Sequence, residues 1–255
     1  MTKEPEANYS KEIVFGEFHN KTKNYFSGPK SELPEESGGW CDYMVELEFF
    51  KSMPEGIRKD AWFLTKVTMT GQERNPETGR YPLLNWDDPA TNQKHPYWKK
   101  NIESSDWVFN YDDGYYETKG ISSASGKTRM IFRYADILLL YAEAVAYGTK
   151  SIDDLAFDCM WRVQERAGVP LISKDVTKEY FQKAVLDERR WETAGMEHSC
   201  MGRFFTMQRH EILHLQKNYR DAAELSLNPN LTLSEEFYYF PIPDNELLIV
   251  PGLKD

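Results

Sequence analysis

The sequence predicts an all-α (mainly α) fold with minor β, in which a helical scaffold carries long irregular loops. Three observations support this. Between about residues 130 and 194, three stretches repeat apolar residues at helical spacing. The first 120 residues are instead broken by turn strings such as Ser37-Gly38-Gly39, Asn75-Pro76-Glu77-Thr78-Gly79 and Asp87-Asp88-Pro89, where permitted φ or side-chain hydrogen bonding favours chain reversal. Only two short runs, Ile13-Val14-Phe15 and Trp62–Met69, have the β-branched and aromatic character of strands.

By texture, one domain over 1–255 divides into a loop-rich aromatic part at 1–120, a helical scaffold at 121–215 and an extended tail at 216–255. Met130–Tyr147 is apolar on nearly every face, which predicts a buried helix stopped by Gly148. Its polar residues Arg133, Asp136 and Glu143 fall at i, i+3 and i+10, on one stripe. In the next helix, Ser151 and Asp154 have capping-box spacing, and Ile152, Leu155, Ala156, Cys159, Met160, Val163 and Ala167 recur every three or four residues. Gly168 suits the position past the helix end, and Pro170 follows. The short loop between the two helices predicts an αα-hairpin. A third helix runs from near Thr177 to about Ala194, with Phe181, Ala184 and Val185 facing inward and Glu188 and Glu192 on that same face. Buried carboxylates need partners, and Arg133, Arg189 and Arg190 are candidates. In the tail, Pro241 and Pro243 force extended backbone.

Composition excludes several function classes. Lys and Arg number 31 against 41 Asp and Glu, a net charge of −10, which disfavours binding to nucleic-acid phosphates. Mean hydropathy is −0.66, and no apolar run approaches the ~20 residues that span a bilayer. Cys41, Cys159 and Cys200 lie far apart with no CxxC, so a zinc ribbon is ruled out. G-x-S-x-G, P-loop and G-x-G-x-x-G strings are absent. No cofactor is implied.

Three candidate sites remain. His210-Glu211-Ile212-Leu213-His214 fits H-E-x-x-H, with two zinc ligands one helical turn apart and a general base between them; Glu235 or Glu236 would supply a third ligand. Its polar flanks, Gln208, Arg209, Gln216 and Lys217, favour a surface helix instead. Glu188 and Glu192 could act as a general acid and base, but two carboxylates on one helix face more often form a structural ion-pair network. The third candidate is aromatic. Tyr81, Trp86, Tyr97, Trp98, Trp107, Phe109, Tyr111, Tyr115 and Tyr116 fill nine of the 36 residues 81–116, against 14% aromatic content overall. Rings on polar loops suit stacking on sugar faces, and neighbours such as Asn85, Asp87, Asp88, Asn92 and Gln93 suit hydroxyl hydrogen bonds. The alternative is that these rings pin their own loops to the helices.

Four stretches together resemble the SusD/RagB family. Arg133-Tyr-Ala-Asp-Ile-Leu-Leu-Leu-Tyr-Ala-Glu-Ala144 is similar to its signature helix, and Val163-Gln-Glu-Arg-Ala-Gly-Val-Pro170 to the end of the following one. Leu186-Asp-Glu-Arg-Arg-Trp-Glu192 resembles its E-R-x-x-E helix, and Phe240-Pro-Ile-Pro-Asp-Asn-Glu246 with Pro251-Gly252 its terminal strings. Ser10-Lys-Glu-Ile-Val-Phe15 resembles the opening of the family's C-terminal region. The resemblance implies tetratricopeptide-like helix pairs with long irregular loops. It also implies a bacterial outer-membrane lipoprotein on the cell-surface side that captures a glycan or other nutrient. Such a protein passes its cargo to a SusC-like TonB-dependent transporter and catalyses nothing. A complete member is longer and carries an export signal and a lipidated cysteine; Cys41 lies too far in for that role, so the sequence reads as the C-terminal portion, with its lipid anchor elsewhere. Residues 195–209 depart from the family's pattern.

The expected function is therefore non-catalytic oligosaccharide or nutrient binding. Trp86, Tyr97, Trp98, Trp107 and Tyr115 are expected to line the ligand site, and Arg133, Asp136, Glu143, Glu188 and Glu192 to tie the helices together. The rivals are a zinc metallopeptidase using His210, Glu211 and His214, and a helical protein-interaction scaffold.

Overall fold

A computed structural model of the chain describes residues 10–19, 26–27, 30–100, 102, 107–118, 124–195, 204–213, 215, 220–227, 238, 241–250 and 252. The chain forms two compact units, Met1–Arg203 and Phe204–Asp255. That division falls between the two boundaries, at 120 and 215, that texture alone marks.

Among the described residues of the first unit, ten short strands form five two-stranded ladders, all antiparallel. They pair β1 (Ile13–Glu17) with β10 (Arg129–Arg133), β2 (Phe26–Ser27) with β9 (Ala124–Ser125), β3 (Phe63–Leu64) with β6 (Tyr97–Trp98), β4 (Lys66–Thr68) with β5 (Leu83–Asn85), and β7 (Trp107–Phe109) with β8 (Tyr116–Thr118). Two short helices, α1 (Leu47–Ser52) and α2 (Ile57–Trp62), lead into β3.

Three longer helices make the scaffold: α3 (Tyr134–Tyr147), α4 (Asp154–Ala167) and α5 (Lys178–Thr193). The stretch from Met130 does not begin a helix. Met130, Phe132 and Arg133 pair with Gly16, Phe15 and Ile13, because β1 offers them an open ladder edge. Arg133 then caps α3. Its backbone N–H donates to Asp136 Oδ2 at 2.8 Å, while Tyr134 N–H reaches the Glu12 carbonyl at 2.7 Å. Nor is α3 buried all round. Ala135, Leu139, Ala142 and Ala146 are interior, whereas Tyr134, Ile137, Leu140 and Tyr147 are exposed on one side.

The cap of α4 is Asp153, two residues past the expected cap, Ser151. Its Oδ1 accepts the Ala156 N–H at 2.8 Å, and its Oδ2 accepts the Tyr141 hydroxyl at 2.9 Å. Gly168 ends α4 in the left-handed region, φ +69°. Thr177 caps α5 through its hydroxyl oxygen, which accepts the Tyr180 N–H at 3.2 Å.

Burial is organised in three clusters. The helices pack through Leu139, Ala142, Phe157, Met160, Val163, Phe181 and Val185. The ladders pack through Leu33, Leu64, Val67, Tyr97, Ile102, Trp107 and Tyr116. The third cluster joins the two: Val45, Met53, Phe63 and Trp98 lie against Trp191 and Ala194 at the end of α5. Gly195, φ +64°, sits so close to Trp98 that a Cβ there would lie 2.5 Å from its ring.

The second unit contains α6 (204–209), α7 (Ala222–Leu227) and α8 (Asp244–Ile249). The tail is thus not wholly extended. Pro243 has φ −56° and sits at the N-cap of α8, where its missing N–H interrupts no helical bond.

Candidate functional site

An ion network fixes α2 against the scaffold. Arg58 on α2 donates from Nη1 to Glu188 Oε1 at 2.5 Å and to Glu192 Oε2 at 3.0 Å. Arg133 donates to Glu192 Oε1 at 2.9 Å and to Asp136 Oδ1 at 3.0 Å. Arg166 reaches Glu192 and Glu12, each at 2.7 Å, and Arg189 pairs with Glu143 at 2.9 Å. Glu192 thus accepts from three guanidiniums. Burial pushes its carboxyl up, but Arg133, Arg166 and Arg58 outweigh that and hold it below the ordinary glutamate value. At Glu188 burial prevails, and the carboxyl stays above that value despite Arg58. The sequence marks Arg133, Asp136, Glu143, Glu188 and Glu192; the structure brings four of them into this network and places Glu143 in a separate pair with Arg189. It misses Arg58 and Arg166, while Arg190 turns to Ser52 and Asp187.

Held in this way, α1 and α2 form one wall of an open cleft of about 420 Å3. Phe50, Glu55, Lys59 and Asp60 line that wall; Phe63, Leu64, Thr65 and Lys66 line the floor, and Lys99, Phe109, Tyr111 and Gly114 the far side. The far side depends on a tight turn. Asn110 N–H bonds the Tyr115 carbonyl at 2.8 Å, Asn110 Oδ1 accepts the Asp112 N–H at 2.9 Å, and Gly114 adopts φ +73°. Asn, Asp and Gly allow this because their side chains, or the lack of one, tolerate local reversal. The turn holds Tyr111 outward, 67% exposed, with its ring edge-on to Phe109 at 4.8 Å.

The lysines of the cleft are anchored. Lys59 Nζ donates to the Met53 carbonyl at 3.1 Å and to Glu55 at 2.6 Å, and lies 4.5 Å from the centre of the Phe50 ring. Lys66 Nζ donates to Asn85 Oδ1 at 2.5 Å. Lys99 donates to the Asp60 carbonyl and sits 4.9 Å from the centre of the Phe109 ring; burial pulls its ammonium below the ordinary lysine value, with Asp60 opposing. Ring faces, ammonium donors and the exposed carboxylates of Glu55 and Asp60 therefore share one cavity. That mixture suits polyhydroxylated ligands with flat apolar faces.

The five rings expected to line a ligand site lie mostly elsewhere. Tyr97 and Trp107 belong to the ladder core, and Trp98 to the joining cluster. Tyr115 is buried; the Arg80 guanidinium lies 4.6 Å from its ring centre and its hydroxyl bonds Glu117. Both faces of β6 are covered, so the adjacent rings of Tyr97 and Trp98 are both buried, one in the ladder core and one in the joining cluster. Four of the five are therefore packing residues in this structure. Trp86 is half-buried and backs the cleft: its ring is edge-on to Phe50 at 5.8 Å, and its N–H bonds the Thr65 carbonyl at 3.1 Å. The sequence gives no periodic signal for Lys59, Lys66 or Lys99. Tyr111 could have been singled out by its position in Asn110-Tyr111-Asp112-Asp113-Gly114, since turn tips point side chains at solvent.

The H-E-x-x-H spacing requires an α-helix, and the described residues 210–213 do not form one. The 204–209 helix ends before His210, and Glu211 adopts φ +55°. His214, Glu235 and Glu236 lie outside the described residues. Among the described residues no group of three His, Cys, Asp or Glu could hold a metal ion.

Residues 11–255 match the family model described as the SusD family. No curated protein matches the chain. Among solved structures, a SusD superfamily protein from Parabacteroides distasonis aligns with TM-score 0.66 at 18% identity, covering 94% of this chain and 48% of its own. Surface glycan-binding protein A from Bacteroides thetaiotaomicron aligns with TM-score 0.61 at 16% identity, over 98% of this chain and 52% of its own. The same-named protein in complex with laminarihexaose aligns with TM-score 0.57 at 19% identity, over 94% and 50%. The chain thus spans about half the length of the solved relatives it matches.

Proposed function

The chain belongs to the SusD family, and from that premise we propose that it holds a glycan and breaks no bond. The observation that carries this reading is the cleft between α1–α2 and the β7–β8 turn, where Tyr111 presents a ring beside ammonium and carboxylate groups. The solved complex of a structural relative with laminarihexaose supports oligosaccharide as the ligand class. On this reading the chain acts at the bacterial outer membrane, on the cell-surface side and through a lipid anchor. There it delivers cargo to a SusC-like TonB-dependent transporter, and α3 and α4, joined by a short loop, form a tetratricopeptide-like pair. Modest affinity is expected, because one or two rings contribute little each, and display at a membrane adds avidity.

Retardation of the purified chain in gels containing single polysaccharides tests the reading. A retained glycan whose retention falls on Tyr111→Ala supports it. If no glycan in a broad panel retards the chain, the sugar reading is discarded.

A further inference from the structure

We infer that the cleft selects an acidic glycan, whose anionic group sits against Lys99 while its ring lies on Tyr111. This deepens the proposed glycan reading and rests on it. Lys99 is only 7% exposed and lines the cavity. Its ammonium is met by a main-chain carbonyl and the Phe109 ring, and among the described residues it forms no ion pair with a carboxylate. A buried cation in direct contact with no carboxylate among the described residues is an expensive arrangement, and an anion entering the cleft would complete it.

The neighbouring charges leave room for that anion. Glu55 is engaged by Lys59 at 2.6 Å, so its charge is already answered. Asp60 stands near Lys99 and offers its carbonyl to it, and Lys66 adds a second ammonium, which donates to the neutral Asn85 amide oxygen. Three lysines against two carboxylates make the cleft locally positive on a chain of net charge −10. Long-range attraction therefore cannot select an acidic ligand here; selection has to be local. The geometry links ring and charge as well: Lys99 lies 4.9 Å from Phe109, and Phe109 lies 4.8 Å from Tyr111. A pyranose bearing a carboxylate or sulfate ester spans such a step.

Calorimetric titration of the chain with an oligogalacturonate, a sulfated oligosaccharide and neutral laminarihexaose tests this. At least one acidic probe is expected to bind about tenfold tighter than laminarihexaose. Lys99→Met is expected to remove most of that advantage, weakening the acidic probes far more than laminarihexaose; Lys99→Arg is expected to keep it. Lys66→Met, on the cleft floor, gives a smaller loss at a side chain that is only half-buried, and a melting curve checks that each variant folds. The carboxylate and sulfate probes distinguish the two sources of charge. Laminarihexaose binding as tightly as both acidic probes, or an acidic preference surviving Lys99→Met, overturns the inference and leaves glycan binding standing. If none of the probes binds, both are overturned.

Discussion

Arg58 Nη1 lies 2.5 Å from Glu188 Oε1 and 3.0 Å from Glu192 Oε2, so one guanidinium on α2 spans two carboxylates a single turn apart on α5. The two ends of this contact are 130 positions apart in sequence. It clamps the wall of the cleft to the scaffold.

Removing that clamp strands the interior carboxylate of Glu188, while Glu192 keeps Arg133 and Arg166. Arg58→Met is expected to destabilise the chain by about 3–5 kcal/mol, because an unpartnered buried charge costs more than the pair was worth. Urea unfolding followed by tryptophan fluorescence measures it. A loss under about 1 kcal/mol would mean that Glu188 finds another partner.

The two glutamates should answer pH in opposite senses. Glu192 has a depressed folded value, so its stabilisation is present above the unfolded glutamate value and is lost as pH falls through the folded one. Glu188 has a raised folded value, so its contribution is present below the unfolded value and is lost as pH rises through the folded one. Unfolding midpoints taken from pH 3 to pH 7 should therefore lose their steepest acid limb in Glu192→Gln. Glu188→Gln should instead gain relative stability toward neutral pH.

Gly168 is left-handed, and a Cβ there would lie 3.1 Å from Ile57 Cγ1 and 3.2 Å from Ile57 N. Gly168→Ala is expected to cost about 1–2 kcal/mol and lower the melting temperature by roughly 2–6 °C. Gly71 meets nothing within 4 Å, and Gly71→Ala should change stability by less than about 0.5 kcal/mol.

Trp98 and Tyr111 separate packing from binding. Trp98→Ala should cost about 3–5 kcal/mol, since the ring fills the cluster that joins ladders and helices. Molecules that still fold should keep their glycan retention. Tyr111→Ala should leave stability within about 0.5 kcal/mol and weaken retention several-fold. The reverse pattern would move the ligand site away from the cleft.

The helices were legible because their signals are local. Apolar spacing in α4 and α5, Gly168 and the Thr177 cap are written within a few residues of where they act. The start of α3 was not legible, because Met130–Arg133 is a strand only through its pairing with Ile13–Glu17, over a hundred residues earlier. The acidic members of the ion network could be read from helix spacing. Arg58 could not, since its partners are set by how α2 lands on α5. The same holds for the cleft. Lys59 and Lys66 lie seven residues apart along one stretch, but Lys99 comes from a separate one, and its meeting with them is a property of packing.

Because the Glu192 carboxylate serves Arg58, Arg133 and Arg166 together, substitutions at those three arginines should not behave independently. Once one is lost, the next costs a different amount, and the sign of that coupling shows whether the remaining pair tightens or loosens. Drift at any one of these positions therefore depends on what the other two still carry, and the four are expected to change as a set.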